Sequence, residues 1–159
     1  MLMKKIILTL LLSFFCYLGY SQNYDLNSVK EKNESLWSFV SNWLGTKYKF
    51  GGMTKSGIDC SGFTKLLYKY VFDVEIPRTA QLQYKATNAK KDKENLEMGD
   101  LVFFKSKSSP TGWHVGVYLE NGYFVHSGSR KTGVIISSLE HPSYTRSYYG
   151  TGKVSKDSI

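Results

Sequence analysis

The stretch from His114 to His126, which reads HVGVYLENGYFVH, decides how the second half of this chain folds. Two apolar runs flank a short polar segment, and this arrangement is typical of an antiparallel β-hairpin. A two-residue loop, Asn121-Gly122, would send the two histidines to opposite faces of the sheet. A three-residue loop that also includes Glu120 places a glycine where positive φ is needed, and it puts both histidines on one face as diagonal neighbours.

The hairpin also predicts what each face of the sheet does. Val115, Val117 and Leu119 form the row that faces the core. His114 and Gly116 share the opposite face, where the glycine leaves space beside the histidine.

Further strands are predicted on both sides of the hairpin. Leu101-Val102-Phe103-Phe104 follows a Gly-Asp turn and is a short apolar strand. Residues 106–113 form a polar loop, and residues 134–136 form another strand.

The first half of the chain has helical periodicity instead. Residues 28–31 form a capping-box pattern, and apolar residues recur at helical spacing from Val29 to Leu44, with Gly45 as the predicted cap. A second helix is predicted to begin near Cys60 and to end before Pro77. Helices first and an antiparallel sheet afterwards indicate an α+β domain.

Residues 1–21 have the pattern of a secretory signal peptide. A short basic start precedes an apolar core at residues 6–18, and small residues occupy the minus-three and minus-one positions before Gln22. The alternatives are an uncleaved membrane anchor, for which the apolar core is short, and lipid attachment at Cys16, which lacks a small residue before it. We therefore expect an exported protein in the periplasm or cell envelope, or one that is secreted, with no stable transmembrane span after processing.

Net charge and cysteine content limit the kinds of partner and site that this protein can have. The chain has 159 residues, enough for one domain, and a formal net charge of +8, which suits an anionic surface such as an envelope polymer. Nucleic acid is not an expected partner, because residues 90–93 are the densest basic run. Cys16 leaves with the signal peptide, so Cys60 is the lone thiol of the mature chain and cannot form an intramolecular disulfide.

Cys60 lies in the stretch SGIDCSGF, residues 56–63, and it has several interpretations. A lone buried cysteine is most often a packing residue, and a strand histidine is most often a satisfied polar residue. A zinc site made by Cys60 and two histidines lacks an obvious fourth ligand. As a nucleophile, Cys60 at a helix N-terminus and beside a histidine would have a lowered thiol pKa, and the helix N–H groups could hold an oxyanion.

Taken together, the motifs resemble the NlpC-type cell-wall cysteine peptidases, a papain-like family, over residues 36–150. The compact, signal-bearing murein endopeptidases are the most similar in appearance. The resemblance depends on six motifs in a fixed order, which are YKFGG at residues 48–52, DCSGF at 59–63, IPRT at 76–79, GDLVFF at 99–104, HVGVY at 114–118 and FVH at 124–126.

The resemblance implies a papain-like α+β fold and a set of catalytic residues. Cys60 would be the nucleophile, His114 the general base and then acid, and His126 the residue that orients His114. Substrate-contacting residues would be Tyr48, Asp59, Ser61 and Arg78, with no metal and no cofactor. The implied domains are a signal peptide at residues 1–21, an N-terminal extension and helix start at 22–35, the catalytic domain at 36–150 and a tail at 151–159.

The implied activity is hydrolysis of peptide bonds in peptidoglycan stem peptides by a monomeric enzyme. Two bonds are candidates: the one between D-glutamate and the diamino acid, and the cross-link between D-alanine and diaminopimelate. The alternatives are an amidase or acyltransferase on the same scaffold, and a non-catalytic module that binds the cell wall.

Overall fold

A computed structural model describes residues 26–87, 89–91 and 93–154 of the chain. The predicted signal peptide and residues 155–159 of the predicted tail lie outside the described residues. The described part combines helices with an antiparallel sheet, and the predicted α+β class is confirmed.

The helices are short and most precede the sheet. They are α1 (Leu26–Lys32), α2 (Glu34–Trp43), α3 (Cys60–Leu67), α4 (Ala80–Ala86) and α5 (Pro142–Ser147), with a π-helical turn at Tyr68–Phe72 and a 3₁₀ turn at Lys93–Asn95. Neither α4 nor α5 was predicted, because each is only about two turns long and its periodicity is too brief to detect.

The strands form one small and one large sheet. They are β1 (Met53–Thr54), β2 (Gly57–Ile58), β3 (Ala89–Lys91), β4 (Leu101–Lys105), β5 (Trp113–Tyr118), β6 (Tyr123–Ser127), β7 (Val134–Ser138) and β8 (Tyr148–Lys153). The first two pair with each other, and the other six form an antiparallel sheet in the order β3-β8-β4-β5-β6-β7. Strand β8 pairs with β4 in the sheet and continues three residues past the predicted domain end at residue 150.

The predicted first helix is two helices. Helix α1 already begins at Leu26, so the capping-box pattern at residues 28–31 lies inside it and does not start it. The break falls at Asn33, whose extended backbone and side-chain bond to the Leu36 amide at 2.9 Å make it the N-cap of α2. Gly45 follows α2 at φ +76°, in the left-handed conformation expected of a residue just beyond a helix end.

The register of the β5–β6 hairpin confirms the three-residue loop. Val117 pairs with Val125 and Tyr118 with Phe124. The loop glycine, Gly122, has φ +78°, as predicted. His114 and His126 therefore share one face of the sheet.

The two faces of the large sheet are covered by different elements. Val115, Val117 and Leu119 are fully buried with Phe63 and Leu67 of α3, as the predicted core row requires. The opposite face is covered by a smaller apolar cluster around Phe104 and Phe124, with Tyr144 of α5 packed against it. This second face carries the two histidines, and Tyr144 of α5 packs edge-on against the ring of His126.

Across residues 26–154, apart from the two undescribed positions 88 and 92, no helix is long and apolar enough to cross a membrane.

Candidate active site

Cys60 is the first residue of α3, as predicted, and its position is set by the N-cap. Asp59 has an extended backbone, and its side chain accepts a hydrogen bond of 2.7 Å from the amide of Gly62. The sulfur lies near the backbone N–H of Val115 in β5 and those of Ser61 and Cys60 itself. Val115 directly follows His114, so the helix start and the histidine strand meet at the thiol.

The guanidinium of Arg78 forms a bidentate ion pair with the carboxylate of Asp59. The guanidinium donates to both carboxylate oxygens at 2.9 and 2.8 Å, and also to the hydroxyl of Ser61 at 3.0 Å. The Gly51 amide donates to the same carboxylate at 2.7 Å. Asp59 and Ser61 are buried, whereas about a third of the Arg78 side chain is exposed. These contacts tie the 51–52 loop, the helix start and the segment before α4 together.

The structure thus gives three of the predicted substrate-contacting residues partners within the protein. Asp59, Ser61 and Arg78 nevertheless line a cavity of about 220 Å³ together with Tyr48 and Cys60. Their role in substrate binding stays a prediction. Their structural role was not predicted, because the contact between residues 59 and 78 spans 19 positions and has no local sequence signal.

The two histidines form a direct hydrogen bond. Nε2 of His114 lies 2.7 Å from Nδ1 of His126, and the ring planes are nearly perpendicular. Gly116 makes room for this pair, since a Cβ there would lie 2.6 Å from the Phe124 ring and 3.1 Å from Cβ of His126. His126 is buried and stacks on Phe124 with ring centroids 4.7 Å apart.

Two hydroxyl groups lie within hydrogen-bond distance of the other ring nitrogen of His126. Nε2 lies 2.9 Å from Oγ of Ser137 in β7 and 3.3 Å from the hydroxyl of Tyr144 in α5. Neither residue was predicted to belong to the site. Strand parity could have suggested Ser137 once the β6–β7 register was known, but residues 128–133 between these strands carry no signal that fixes a register.

Three cavities surround the thiol and the histidine pair. One of about 240 Å³ is lined by Tyr48, Cys60, His114 and Arg130. A second, of about 480 Å³, is lined by both histidines and Tyr144 but not by Cys60. The third is the 220 Å³ cavity at Asp59 and Arg78. Cys60 and His114 thus line the same 240 Å³ cavity.

The NlpC/P60 family model matches residues 45–153 of this chain. The chain belongs to the NlpC/P60 family. The resemblance predicted from the six motifs is confirmed.

Individual members of the NlpC/P60 family are similar over most of the described residues. The probable endopeptidase NlpC of Escherichia coli (strain K12) is 38% identical over 115 residues, which are 72% of this chain and 73% of that protein. The murein DD-endopeptidase MepS/murein LD-carboxypeptidase of the same strain is 43% identical over 108 residues, 68% of this chain and 55% of MepS. This match spans only about half of MepS.

A solved NlpC/P60 structure has the same fold. An NlpC/P60 family protein from Bacillus cereus ATCC 10987 superimposes with a TM-score of 0.67 at 33% identity, covering 76% of this chain and 39% of that one. The predicted papain-like type of α+β fold is thereby supported at the level of the family.

Burial shifts the pKa values of Cys60, His114 and His126 in this NlpC/P60 domain. It raises the pKa of the Cys60 thiol to about 11, with a further increase from the negative charge of Asp59, and the surrounding backbone N–H groups only partly offset this. Burial also lowers the pKa of His114 to about 4. For His126, burial and the neighbouring His114 together hold the pKa well below its usual value.

The lowered thiol pKa predicted from the helix N-terminus is therefore wrong for the free site. Two uncharged groups, a thiol and an imidazole, are favoured over a thiolate and an imidazolium, because both charged forms would lose their hydration. A neutral His114 can accept a proton at neutral pH, so the thiol would be deprotonated as it attacks and not beforehand.

Alkylation kinetics test this charge state. We expect the rate at which iodoacetamide modifies Cys60 in the folded protein to rise with pH through the alkaline range, without a plateau at or below the ordinary thiol pKa of about 8.5. The sign follows from the raised pKa, which leaves less thiolate at any given pH. Protein unfolded in urea is the control, and its cysteine should react faster at pH 7 to 8. A plateau in the acidic range for the folded protein would contradict the neutral pair.

In the part of the chain that the structure describes, no three histidine, cysteine or acidic side chains cluster as a metal site would require.

Proposed function

We propose that this protein is a peptidoglycan endopeptidase that cleaves stem-peptide bonds through Cys60, His114 and His126. The observation that carries the proposal is the 2.7 Å bond from His126 to His114, which lines one cavity together with Cys60, the first residue of α3. Relatives named as murein endopeptidases support the same activity.

The geometry suggests a role for each ring nitrogen of His114. Nε2 is occupied by His126, so Nδ1 is the nitrogen left to accept the proton from the Cys60 sulfur. The sulfur then bonds to the scissile carbonyl carbon, and the carbonyl oxygen takes up negative charge near the first backbone N–H groups of α3. Tyr48 faces the same cavity and is a second candidate donor to that oxygen.

The remaining steps return the site to its starting state. Protonated His114 gives its proton to the leaving amine as the carbon–nitrogen bond breaks, which leaves an acyl-enzyme on Cys60. Water then attacks the thioester with His114 as base. The acid product leaves, and the sulfur regains its proton from His114.

The charges that line the site suit an anionic peptide. Arg130 lines the 240 Å³ cavity, and Lys105 and Lys107 line the 480 Å³ cavity. The described residues that line these two cavities include no aspartate or glutamate. Stem peptides with D-glutamate and diaminopimelate carry free carboxylates that these cations would attract. The proposed location is accordingly the cell envelope, with the murein as substrate and no nucleic acid as partner.

Digestion of purified sacculi, followed by mass spectrometry of the products, tests this function. We expect the enzyme to convert cross-linked muropeptides to monomers with new D-alanine C-termini, since a relative with 43% identity is named a DD-endopeptidase. New D-glutamate C-termini would assign the cut to the D-glutamyl bond instead. An absence of new termini in the wild-type digest would contradict the peptidase proposal and favour a non-catalytic wall-binding module. Stem peptides released from the sugar with new N-terminal amines would indicate the amidase, and transfer of the acyl group to an added amine would indicate the acyltransferase.

A further inference from the structure

The hydrogen bond between the two histidines can be made in two ways. At 2.7 Å, Nε2 of His114 and Nδ1 of His126 share one proton, so one nitrogen donates and the other accepts. Burial keeps both rings uncharged, and each therefore carries a single ring proton. The choice of donor in this bond thus fixes the tautomer of both rings.

Only one of the two arrangements can take the proton from Cys60. If His114 donates through Nε2, its Nδ1 is bare and can accept the thiol proton, while His126 carries its own proton on Nε2. If His126 donates through Nδ1, His114 carries its proton on Nδ1, and that nitrogen then has no free lone pair with which to accept another. We call the first the productive and the second the unproductive arrangement.

The groups around Nε2 of His126 determine which arrangement is favoured. In the productive arrangement this nitrogen has a proton and needs an acceptor. In the unproductive arrangement it is bare and needs a donor. Oγ of Ser137 lies 2.9 Å away, and the phenol of Tyr144 lies 3.3 Å away. An alkyl hydroxyl is the less acidic of the two and so the better acceptor, whereas a phenol is the more acidic and so the better donor.

On the basis of the proposed function, we propose that Ser137 is a positioning residue whose Oγ accepts the Nε2 proton of His126 and thereby holds both histidines in the productive arrangement. Tyr144 has the opposite effect, since a proton donated by its hydroxyl favours the unproductive arrangement. The shorter distance gives Ser137 the larger influence. The β6–β7 register maintains this contact, because Ser137 pairs with Phe124 and so stands diagonally beside His126.

Kinetics of four variants test the proposal. We expect Ser137→Ala to lower kcat by about 10- to 100-fold with little change in KM, the range typical when a group that orients a catalytic residue is removed. Tyr144→Phe alone should raise kcat, because it removes the donor that favours the unproductive arrangement. Adding Tyr144→Phe to Ser137→Ala should restore part of the lost kcat, because it removes the remaining donor. Ser138→Ala, at the next position of the same strand, is the matched control and should behave like wild type.

A spectroscopic measurement separates this proposal from the proposed function. Side-chain ¹⁵N shifts of His126 should show the proton on Nε2 in wild type and a shift of population toward Nδ1 in Ser137→Ala. A proton on Nδ1 of His126 in wild type would overturn the proposal even if the enzyme cleaves murein. If the protein shows the expected ¹⁵N shifts but cleaves no murein, the positioning role of Ser137 is supported and the proposed function is contradicted. A Ser137→Ala variant with wild-type kcat and unchanged ¹⁵N shifts would also overturn it.

Discussion

Replacing Cys60 with alanine should lower muropeptide cleavage by about 10⁴-fold or more, because it removes the proposed nucleophile. His114 and the N–H groups of α3 would remain, and they could assist only direct attack by water. The measurement is turnover of a purified cross-linked muropeptide, followed by chromatography of the products.

The fold should survive this change, so that a loss of activity can be attributed to the missing thiol. Cys60 has 8% of its surface exposed and packs at the edge of the main core, and the Asp59 cap does not depend on its side chain. Urea unfolding should therefore show only a small loss of stability. Cys60→Ser is the matched variant, since it keeps the size and a hydroxyl but loses the acidity and nucleophilicity of sulfur. Wild-type turnover by either variant would contradict the nucleophile role.

Replacing Asp59 with alanine should reduce the free energy of unfolding by about 2–4 kcal/mol. The change removes the N-cap of α3 and leaves the Arg78 guanidinium without its carboxylate. The expected loss is below the full cost of breaking a buried ion pair, because about a third of the Arg78 side chain reaches water. Urea unfolding of both proteins at neutral pH gives the difference directly.

Variants at the same pair separate capping from charge. Asp59→Asn keeps an oxygen that can accept from Gly62, so it should lose less stability than Asp59→Ala. A double-mutant cycle with Arg78→Gln should give a favourable coupling energy between the two side chains. The alternative outcome is an Asp59→Ala protein of wild-type stability with a raised KM. That result would contradict the structural role of Asp59 and favour the substrate contact predicted for it from the family resemblance.

The sequence was sufficient wherever a property depends on residues that are near each other along the chain. The period-two pattern of the hairpin predicted that His114 and His126 share a face if the loop has three residues, because alternation in a strand is a local geometric fact, and the pairing of Val117 with Val125 then showed that loop. The same reasoning placed Cys60 at a helix start. The order of six short motifs predicted the NlpC/P60 family. Local sequence patterns were less reliable at Asn33, where the side chain of one residue interrupts an otherwise continuous helical pattern.

Tertiary structure alone decided how these residues are surrounded. The bond from Arg78 to Asp59 and the hydroxyls of Ser137 and Tyr144 beside His126 join segments that no local pattern relates. Burial raises the pKa of Cys60 and lowers that of His114, against the expectation from the helix N-terminus. The physical reason is that desolvation depends on everything that packs around a group, whereas the sequence shows only its neighbours along the chain. The sequence thus predicted which residues would react, and the packing around them shifts their pKa values.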